Sequence, residues 1–100
     1  MSPRFPCNLD TSCTLIASVE GEAQPVKVRN ISAGGISLIV PRGFEPHSVL
    51  TLQLVNKLKN YRCDVRIRVI YCLEHPTGEW ILGAAFTRNL TDEELRAFLK

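Results

Sequence analysis

The sequence predicts a mainly all-β fold, a small six-stranded antiparallel barrel that is closed or nearly closed, with one C-terminal α-helix. Six short runs alternate apolar and polar residues, as strands with one buried face do. Glycine, proline and polar residues separate these runs at regular intervals. A helix-capping pattern follows the last run. Many short strands with regular turns favour a barrel over an open sheet.

The predicted strands follow one another along most of the chain. They are Ser12 to Val19, Gln24 to Ile31, Ile36 to Val40, Val49 to Val55, Tyr61 to Leu73 and Trp80 to Phe86. The longest run alternates most cleanly, and its predicted buried face comprises Cys63, Val65, Ile67, Val69 and Tyr71. Such alternation is typical of an antiparallel sheet with one solvent-facing side. Gly83 interrupts the last run, which predicts a bulge or a close backbone approach there.

The C-terminal residues predict a short helix that begins near Asp92 and packs over one end or side of the barrel. Thr91 can cap this helix, and Glu94, three residues later, completes a capping box. A chain of 100 residues is long enough for one hydrophobic core and too short for two. We therefore expect one domain, with residues 1–11 as an extended arm and residues 12–100 as the barrel and its helix.

Composition argues against several classes of function. A formal charge of only +2 lacks the strong excess of positive charge that is typical of proteins that bind a nucleic acid polymer. No apolar run reaches the roughly 18 residues of a membrane span. The first residues lack the apolar region of a signal peptide, so we expect a cytoplasmic protein. Neither G-x-S-x-G nor H-E-x-x-H occurs, so we expect no catalytic residues and no cofactor.

The cysteines do not form a metal-binding pattern. Cys7, Cys13, Cys63 and Cys72 include no C-x-x-C pair. Cys72 and His75 lie three residues apart, but a second pair of ligands is missing, so we expect no metal site. Disulfides are typical of small secreted domains. We expect all four cysteines to be reduced, with Cys13 and Cys63 packed in the core as small apolar residues.

The stretch Asn30-Ile31-Ser32-Ala33-Gly34-Gly35 reads N-x-S-x-x-G between two predicted strands. Such an interruption indicates a turn, a bulge or a close approach by another group. Asn30 and Ser32 are two residues apart, so on a strand both would face the same side and could hold a polar ligand. The same residue types also stabilise turns through their side chains. Gly35 fits both readings, because a tight turn and an approaching ligand each require a missing Cβ.

Two other segments accompany this motif, namely Arg4-Phe5-Pro6 near the start and Gly83-Ala84-Ala85-Phe86 in the last predicted strand. Together the three segments resemble the PilZ domain, a bacterial receptor module for cyclic di-GMP. The resemblance covers most of the chain, including the closing helix. The first motif of that family is R-x-x-x-R. Arg4 matches its second arginine, and the first would fall before Met1.

The resemblance implies a cyclic di-GMP binding module, with the nucleotide received by Arg4, Asn30, Ser32 and Gly35. Binding would order the N-terminal arm, residues 1–11, and so change what the barrel presents to a partner. Some family members have lost the arginine motif. The resemblance therefore leaves open an adaptor that binds no cyclic di-GMP and acts through protein–protein interaction. It does not indicate an oligomeric state.

Two further features allow alternative interpretations. Trp80 could stack on a base of a ligand or anchor the core. A basic stripe could receive an acidic partner or a phosphate backbone, or simply be a solvated face; it comprises Lys57, Lys59, Arg62, Arg66 and Arg68. Barrels that bind single-stranded nucleic acid display exposed aromatic residues, and this chain has only seven aromatic residues, mostly in core-like positions.

Overall fold

A computed structural model of the protein describes residues 5–6, 11–16 and 23–99. These residues form strands β1 (Thr11–Ile16), β2 (Ala23–Ile31), β3 (Gly35–Val40), β4 (Val49–Asn56), β5 (Tyr61–Glu74) and β6 (Trp80–Phe86), followed by helix α1 (Asp92–Phe98). The predicted strands and helix are confirmed, although the expected end of the first strand at Val19 lies outside the described residues. Within the described ranges, no helix has the length and apolar character needed to cross a membrane.

The sheet closes on itself in the order β1-β2-β3-β6-β5-β4, with β4 pairing back to β1. Each neighbouring pair of strands is antiparallel. The predicted six-stranded antiparallel barrel is therefore confirmed. Closure removes the free edges of the sheet. Side chains along each strand therefore face either the packed interior of the barrel or its solvent-facing exterior.

Aliphatic side chains fill the interior of the barrel. The most deeply buried include Leu15, Leu38, Leu52, Leu54, Ile67 and Leu82. Each such side chain contributes about 1.5–3 kcal/mol relative to an exposed position. Cys13 and Cys63 belong to the same cluster, so their predicted place in the core is confirmed.

Helix α1 closes one end of the barrel. Phe98 is completely buried and packs edge-on against Tyr61, with ring centroids 5.7 Å apart. The buried side chain of Asn56 donates from Nδ2 to the carbonyl oxygen of Ala97 at 2.6 Å. Its Oδ1 accepts hydrogen bonds from the backbone N–H groups of Leu58 and Lys59. Asn56 thus ties the end of the helix to the β4–β5 turn, and its burial is compensated by hydrogen bonds.

The N-terminus of α1 carries the predicted capping box. The Thr91 hydroxyl accepts from the Glu94 N–H, and the Glu94 carboxylate accepts from the Thr91 N–H at 2.9 Å. Arg88 donates to both oxygens of this carboxylate, at 2.7 and 2.8 Å, and the Cys63 thiol donates to it at 3.1 Å. The hydrogen bonds from Arg88 and Thr91 hold the pKa of Glu94 well below its usual range. Burial, followed by the contact with Glu94, raises the pKa of Cys63 to about 11.

A bulge in β5 reverses the side-chain pattern of that strand. Val69 is fully buried opposite Ala84. Cys72 pairs with Leu82, which is fully buried, so Cys72 also faces inward. Two residues, Ile70 and Tyr71, lie between these inward positions, so both face outward and are 57% and 39% exposed. The predicted place of Tyr71 on the buried face is therefore wrong, because the extra residue of the bulge shifts the alternation.

The ring of Tyr71 lies against the exterior of β6. Tyr71 pairs with Gly83, and a Cβ atom at Gly83 would overlap the ring. The predicted irregularity at Gly83 takes another form, because the bulge is in the neighbouring strand and the group that approaches Gly83 is a side chain. Glycine lets the ring lie against β6 at this position, because any larger residue would displace the ring.

A second bulge, in β2, likewise changes which residues of its strand face the exterior. Val28 pairs with Leu38 and faces inward, and Ile31 is fully buried opposite Ile36. The two residues between them, Arg29 and Asn30, consequently face outward. Strict alternation would instead have placed Asn30 on the same face as Val28.

The carboxylate network at the helix cap makes stability depend on pH. We expect Glu94→Gln to lower the free energy of unfolding at pH 7 by about 1–2 kcal/mol, as for other lost caps. Because folding lowers the pKa of Glu94, its stabilisation is complete above the usual value of 4.5 and decreases as the pH falls below it. Urea unfolding should therefore show a smaller difference between variant and wild type at pH 3 than at pH 7. Glu93→Gln, on the same turn but exposed, is the control. A difference that does not change with pH would contradict this account.

The packing of Tyr71 on Gly83 predicts a strong coupling between the two positions. Gly83→Ala should destabilise the protein by about 1–3 kcal/mol, because the added methyl group overlaps the ring. In the Tyr71→Ala background the same substitution should cost much less, since no ring is present to displace. Denaturant unfolding of the two single variants and the double variant measures this coupling directly. Equal costs in the two backgrounds would show that the ring does not restrict Gly83.

Candidate functional site

The N-x-S-x-x-G stretch forms the end of β2, the connection to β3 and the first residue of β3. Asn30 lies in β2 and Gly35 begins β3. The expectation that Asn30 and Ser32 share one side of a strand is not met, because β2 ends at Ile31 and Ser32 lies in the connection. The two side chains therefore have different surroundings.

Ser32 is buried and stabilises the connection. Its hydroxyl accepts a hydrogen bond from the Gly35 N–H at 3.1 Å and donates to the Gly35 carbonyl oxygen at 3.3 Å. The Ser32 N–H donates to the same carbonyl at 2.9 Å. The side chain is thus used within the turn, which is the role that its residue type commonly has between strands.

Gly35 is required by the neighbouring strand. A Cβ atom at this position would lie 2.7 Å from the carbonyl oxygen of Ala84, well inside van der Waals contact. Gly35 is buried, so the space beside it is filled by the backbone of β6. The sequence allowed a tight turn or an approaching ligand at Gly35. In the structure Gly35 is hydrogen-bonded to Ser32 within the turn, and the group that approaches it is the backbone of β6.

Both ends of the chain hold this connection in place. The carbonyl oxygen of Ala33 accepts from the Leu90 N–H at 2.8 Å, and that of Gly34 accepts from the Phe86 N–H at 3.0 Å. Phe5 and Ile31 exchange two backbone hydrogen bonds, at 2.8 and 2.7 Å. The connection is therefore attached to the segment before α1, and the end of β2 is attached to the N-terminal arm. Arg4, the predicted ligand arginine, lies outside the described residues.

Four outward-facing residues form a row across the exterior of the barrel. Asn30 pairs with Ser37, Ser37 pairs with Gly83, and Gly83 pairs with Tyr71. The two bulges lie at the two ends of this row. Ser37 and Gly83 are the small members of the row, and the ring of Tyr71 lies over Gly83. We call these four residues the exterior row.

Ser37 has an unusual environment within the exterior row. Its side chain is 2% exposed, and its Oγ has no hydrogen-bond partner among the residues that the structure describes. Buried hydroxyl groups are normally paired, and an unpaired one costs about 1–3 kcal/mol. The unpaired hydroxyl makes the row a candidate site for a polar ligand. Sequence reasoning missed Ser37 and Tyr71, and the only signal for either was the glycine at position 83.

A small cleft of about 150 Å³ opens on the same exterior face. Its lining residues are Arg29, Ile39, His75, Thr77, Glu79 and Ile81. Arg29 lies at the β2 bulge and faces outward beside Asn30. The cleft thus adds a guanidinium group to the surface next to the exterior row.

Trp80 does not lie beside the predicted motif. It pairs with Val40, the last residue of β3, whereas Gly35 is the first residue of that strand. The Trp80 side chain is half-buried and packs against the core. Its ring also covers Gly43, where a Cβ atom would lie 3.1 Å from the ring. Of the two interpretations that the sequence left open, the core anchor describes this environment.

Two longer proteins of known structure share the fold. In Klebsiella ("K. pneumonia") MrkH, solved as a complex with c-di-GMP (cyclic di-GMP), the match has a TM-score of 0.73 and 17% identity and covers 96% of this chain and 48% of that one. In the Bacillus subtilis inhibitor of motility MotI (DgrA), the TM-score is 0.72 and the identity 15%, with 97% and 46% covered. This chain thus spans about half the length of either protein. At such identities the likeness shows the fold alone.

No curated protein gives a significant match to this sequence. The family model described as "PilZ domain", however, matches residues 1–100, which is the whole chain. Its match agrees with the closed six-stranded barrel, with the closing helix and with the N-x-S-x-x-G connection between β2 and β3. The chain belongs to the PilZ domain family.

Proposed function

We propose that this PilZ domain binds cyclic di-GMP on the exterior face of β2, β3, β6 and β5, beside the N-x-S-x-x-G connection. The observation that carries the proposal is the exterior row, where two bulges turn Asn30 and Tyr71 outward. Between them lies the Ser37 hydroxyl, which has no hydrogen-bond partner among the described residues. Membership of the family and the nucleotide complex of MrkH support the choice of ligand.

The motif residues would contribute to binding in different ways. Asn30 offers an amide with both donors and acceptors, which suits a guanine edge or a phosphate oxygen. Ser32 and Gly35 would act by shaping the connection, because the Ser32 hydroxyl bonds to Gly35 and the backbone of Ala84 fills the space beside Gly35. Substitution of either residue would then weaken binding by displacing the connection.

Tyr71 would provide the stacking surface for a base. Its ring is 39% exposed and is held against Gly83 on the barrel exterior. Stacking of a base on an aromatic ring contributes about 1–3 kcal/mol. The adjacent Ser37 hydroxyl would gain a hydrogen-bond partner when polar atoms of the ligand reach the centre of the row.

Arginine side chains would neutralise the phosphates. Arg4 immediately precedes Phe5, which is hydrogen-bonded to Ile31 beside the motif, and Arg29 is exposed next to Asn30. A guanidinium group matches phosphate oxygens with a planar set of donors. Contacts between Arg4 and the ligand would favour one ordered position of the N-terminal arm and thereby transmit binding to a partner.

A second candidate function is that of a PilZ adaptor that acts by protein–protein interaction without the nucleotide. The observation in its favour is the exposure of Ile70 and Leu73 on β5, at 57% and 60%. Apolar side chains that lie together on an exterior are often covered by a partner. This function does not require Arg4 or the exterior row.

Calorimetric titration with cyclic di-GMP tests the proposed site. We expect weak, saturable binding by the wild type. Arg4→Ala should reduce affinity by about ten- to a hundredfold, because a charge-assisted hydrogen bond contributes about 1.5–3 kcal/mol. Tyr71→Ala should reduce it by about tenfold, and Ser32→Ala should also reduce it. Lys57→Ala, in the exposed β4–β5 turn, is the control and should bind like the wild type.

Two results of this titration would contradict the proposal. Binding that is unchanged in all three site variants would place the ligand elsewhere on the barrel. No binding by the wild type at high nucleotide concentration would reject cyclic di-GMP as the ligand and favour the adaptor.

Hydrogen exchange tests the proposed ordering of the arm. Saturating cyclic di-GMP should slow amide exchange in residues 1–11, since ordered backbone amides exchange less readily. Arg4→Ala should abolish this slowing even at nucleotide concentrations that saturate the variant. The strand β4, which contributes no residue to the exterior row or the connection, serves as the internal reference. Exchange in the arm that is the same with and without nucleotide would show that binding does not order it.

A further inference from the structure

We propose that the exterior of β5 next to its bulge docks a protein segment that carries acidic and apolar side chains. We call this surface the β5 face and define it by Arg66, Arg68 and Ile70 of β5 with Val49 of β4. The inference goes beyond nucleotide binding, because it concerns residues outside the exterior row. It specifies where a partner binds and which chemistry the partner presents.

The geometry of β5 lines up two cations and an apolar side chain. Arg66, Arg68 and Ile70 occupy successive outward positions and are all exposed. Since a strand rises about 3.3 Å per residue, neighbouring members of this set are about 7 Å apart. Val49 pairs with Arg68 and is 40% exposed, so it lies beside the second cation.

The two arginines of the β5 face have no anionic partner among the described residues. The ion pairs in this part of the chain are Arg62 with Asp64 and Arg88 with Glu94. The cross-strand neighbours of Arg66 and Arg68 on β4 are Thr51 and Val49, which are uncharged. Two uncompensated positive charges about 7 Å apart repel one another, and an anionic partner would remove that repulsion.

The apolar side chains indicate that the partner is a protein. Ile70 is 57% exposed at the next outward position after Arg68, and Leu73 further along the strand is 60% exposed. A phosphate or a nucleic acid backbone would satisfy the arginines but would leave these aliphatic groups in water. A protein segment with acidic residues followed by an aliphatic residue would match both the arginines and the aliphatic side chains. Protein interfaces commonly combine such charge complementarity with apolar contacts.

Barrel closure determines how such a segment can bind. At Arg66 and Arg68, β5 is paired with β4 on one side; on the other side the Arg66 carbonyl oxygen accepts from the Thr87 N–H and Arg68 pairs with Ala85 of β6. The backbone at these two arginines therefore offers no free edge for an added strand. The partner must therefore dock through side chains. Carboxylates about 6–7 Å apart match the arginine spacing, which corresponds to one turn of a helix or to alternate residues of an extended segment.

Selection from a display library of random peptides against the immobilised full chain tests the proposal. We expect the enriched peptides to carry at least two acidic residues together with an aliphatic residue. A synthetic peptide of the enriched sequence should bind at least about tenfold more weakly to the double variant Arg66→Glu with Arg68→Glu. Ile70→Ser should also weaken binding. Added salt should weaken wild-type binding, since these charges are exposed.

A control variant with the same change in net charge distinguishes an effect of the β5 face from an effect of the overall charge of the protein. Lys27→Glu combined with Lys57→Glu alters exposed lysines on β2 and the β4–β5 turn and should retain peptide binding. Circular dichroism establishes that each variant is folded. If the glutamate variant does not fold, Arg66→Gln with Arg68→Gln replaces it and should lose binding in the same direction.

Three outcomes would overturn the proposal. They are failure to enrich any peptide, enrichment of basic or uncharged peptides, and equal loss of binding in the β5-face variant and the lysine control. Acidic peptides that bind the wild type and the folded β5-face variant equally would likewise place the interaction on another surface.

Discussion

Closure of the six-stranded sheet is the constraint on which the rest of this structure depends. Each strand is hydrogen-bonded on both sides, so the interior must be apolar and binding can use only the exterior and the ends. Two bulges modify this simple division. They turn Asn30 outward on β2 and Tyr71 outward on β5, at either end of one row of paired residues. A barrel with strictly alternating strands would have placed neither side chain there.

Small residues allow the elements around the row to approach one another. Gly35 admits the carbonyl oxygen of Ala84, and Gly83 admits the ring of Tyr71. Ser37, between Asn30 and Gly83, is small enough to be covered, and its hydroxyl has no hydrogen-bond partner in the part of the chain that the structure describes. The same close packing that stabilises the barrel therefore also shapes the surface proposed to receive the nucleotide.

The candidate site and the closing helix share one segment of chain. Leu90 donates to the connection at Ala33, and the next residue, Thr91, caps α1. Glu94 of the helix in turn bonds to Arg88 and to Cys63 of β5. A displacement of the β2–β3 connection would therefore act on the segment that positions the helix. This continuity offers a direct physical link between the surface proposed to bind the nucleotide and the end of the barrel.

The pattern of neighbouring residues in the sequence was sufficient to predict most of the fold. Alternation located the strands, and the spacing of Thr91 and Glu94 located the helix and its cap, because these features depend on residues close together in sequence. The motif at Asn30 was also visible as a pattern. Its geometry was not, since the end of β2 at Ile31 and the internal hydrogen bonds of Ser32 depend on how the connection packs.

The sequence by itself determined the barrel, its helix and its family, because periodicity, capping and motif spacing are written in neighbouring residues. Only the tertiary structure decided which side chains meet on the exterior. Tyr71 continues the alternation of buried residues in the sequence, and only the extra residue in its pairing with β6 turns it outward. Likewise, the isolation of Arg66 and Arg68 follows from the uncharged residues that β4 places beside them. Cross-strand register sets both arrangements, and a single strand does not specify its register with another.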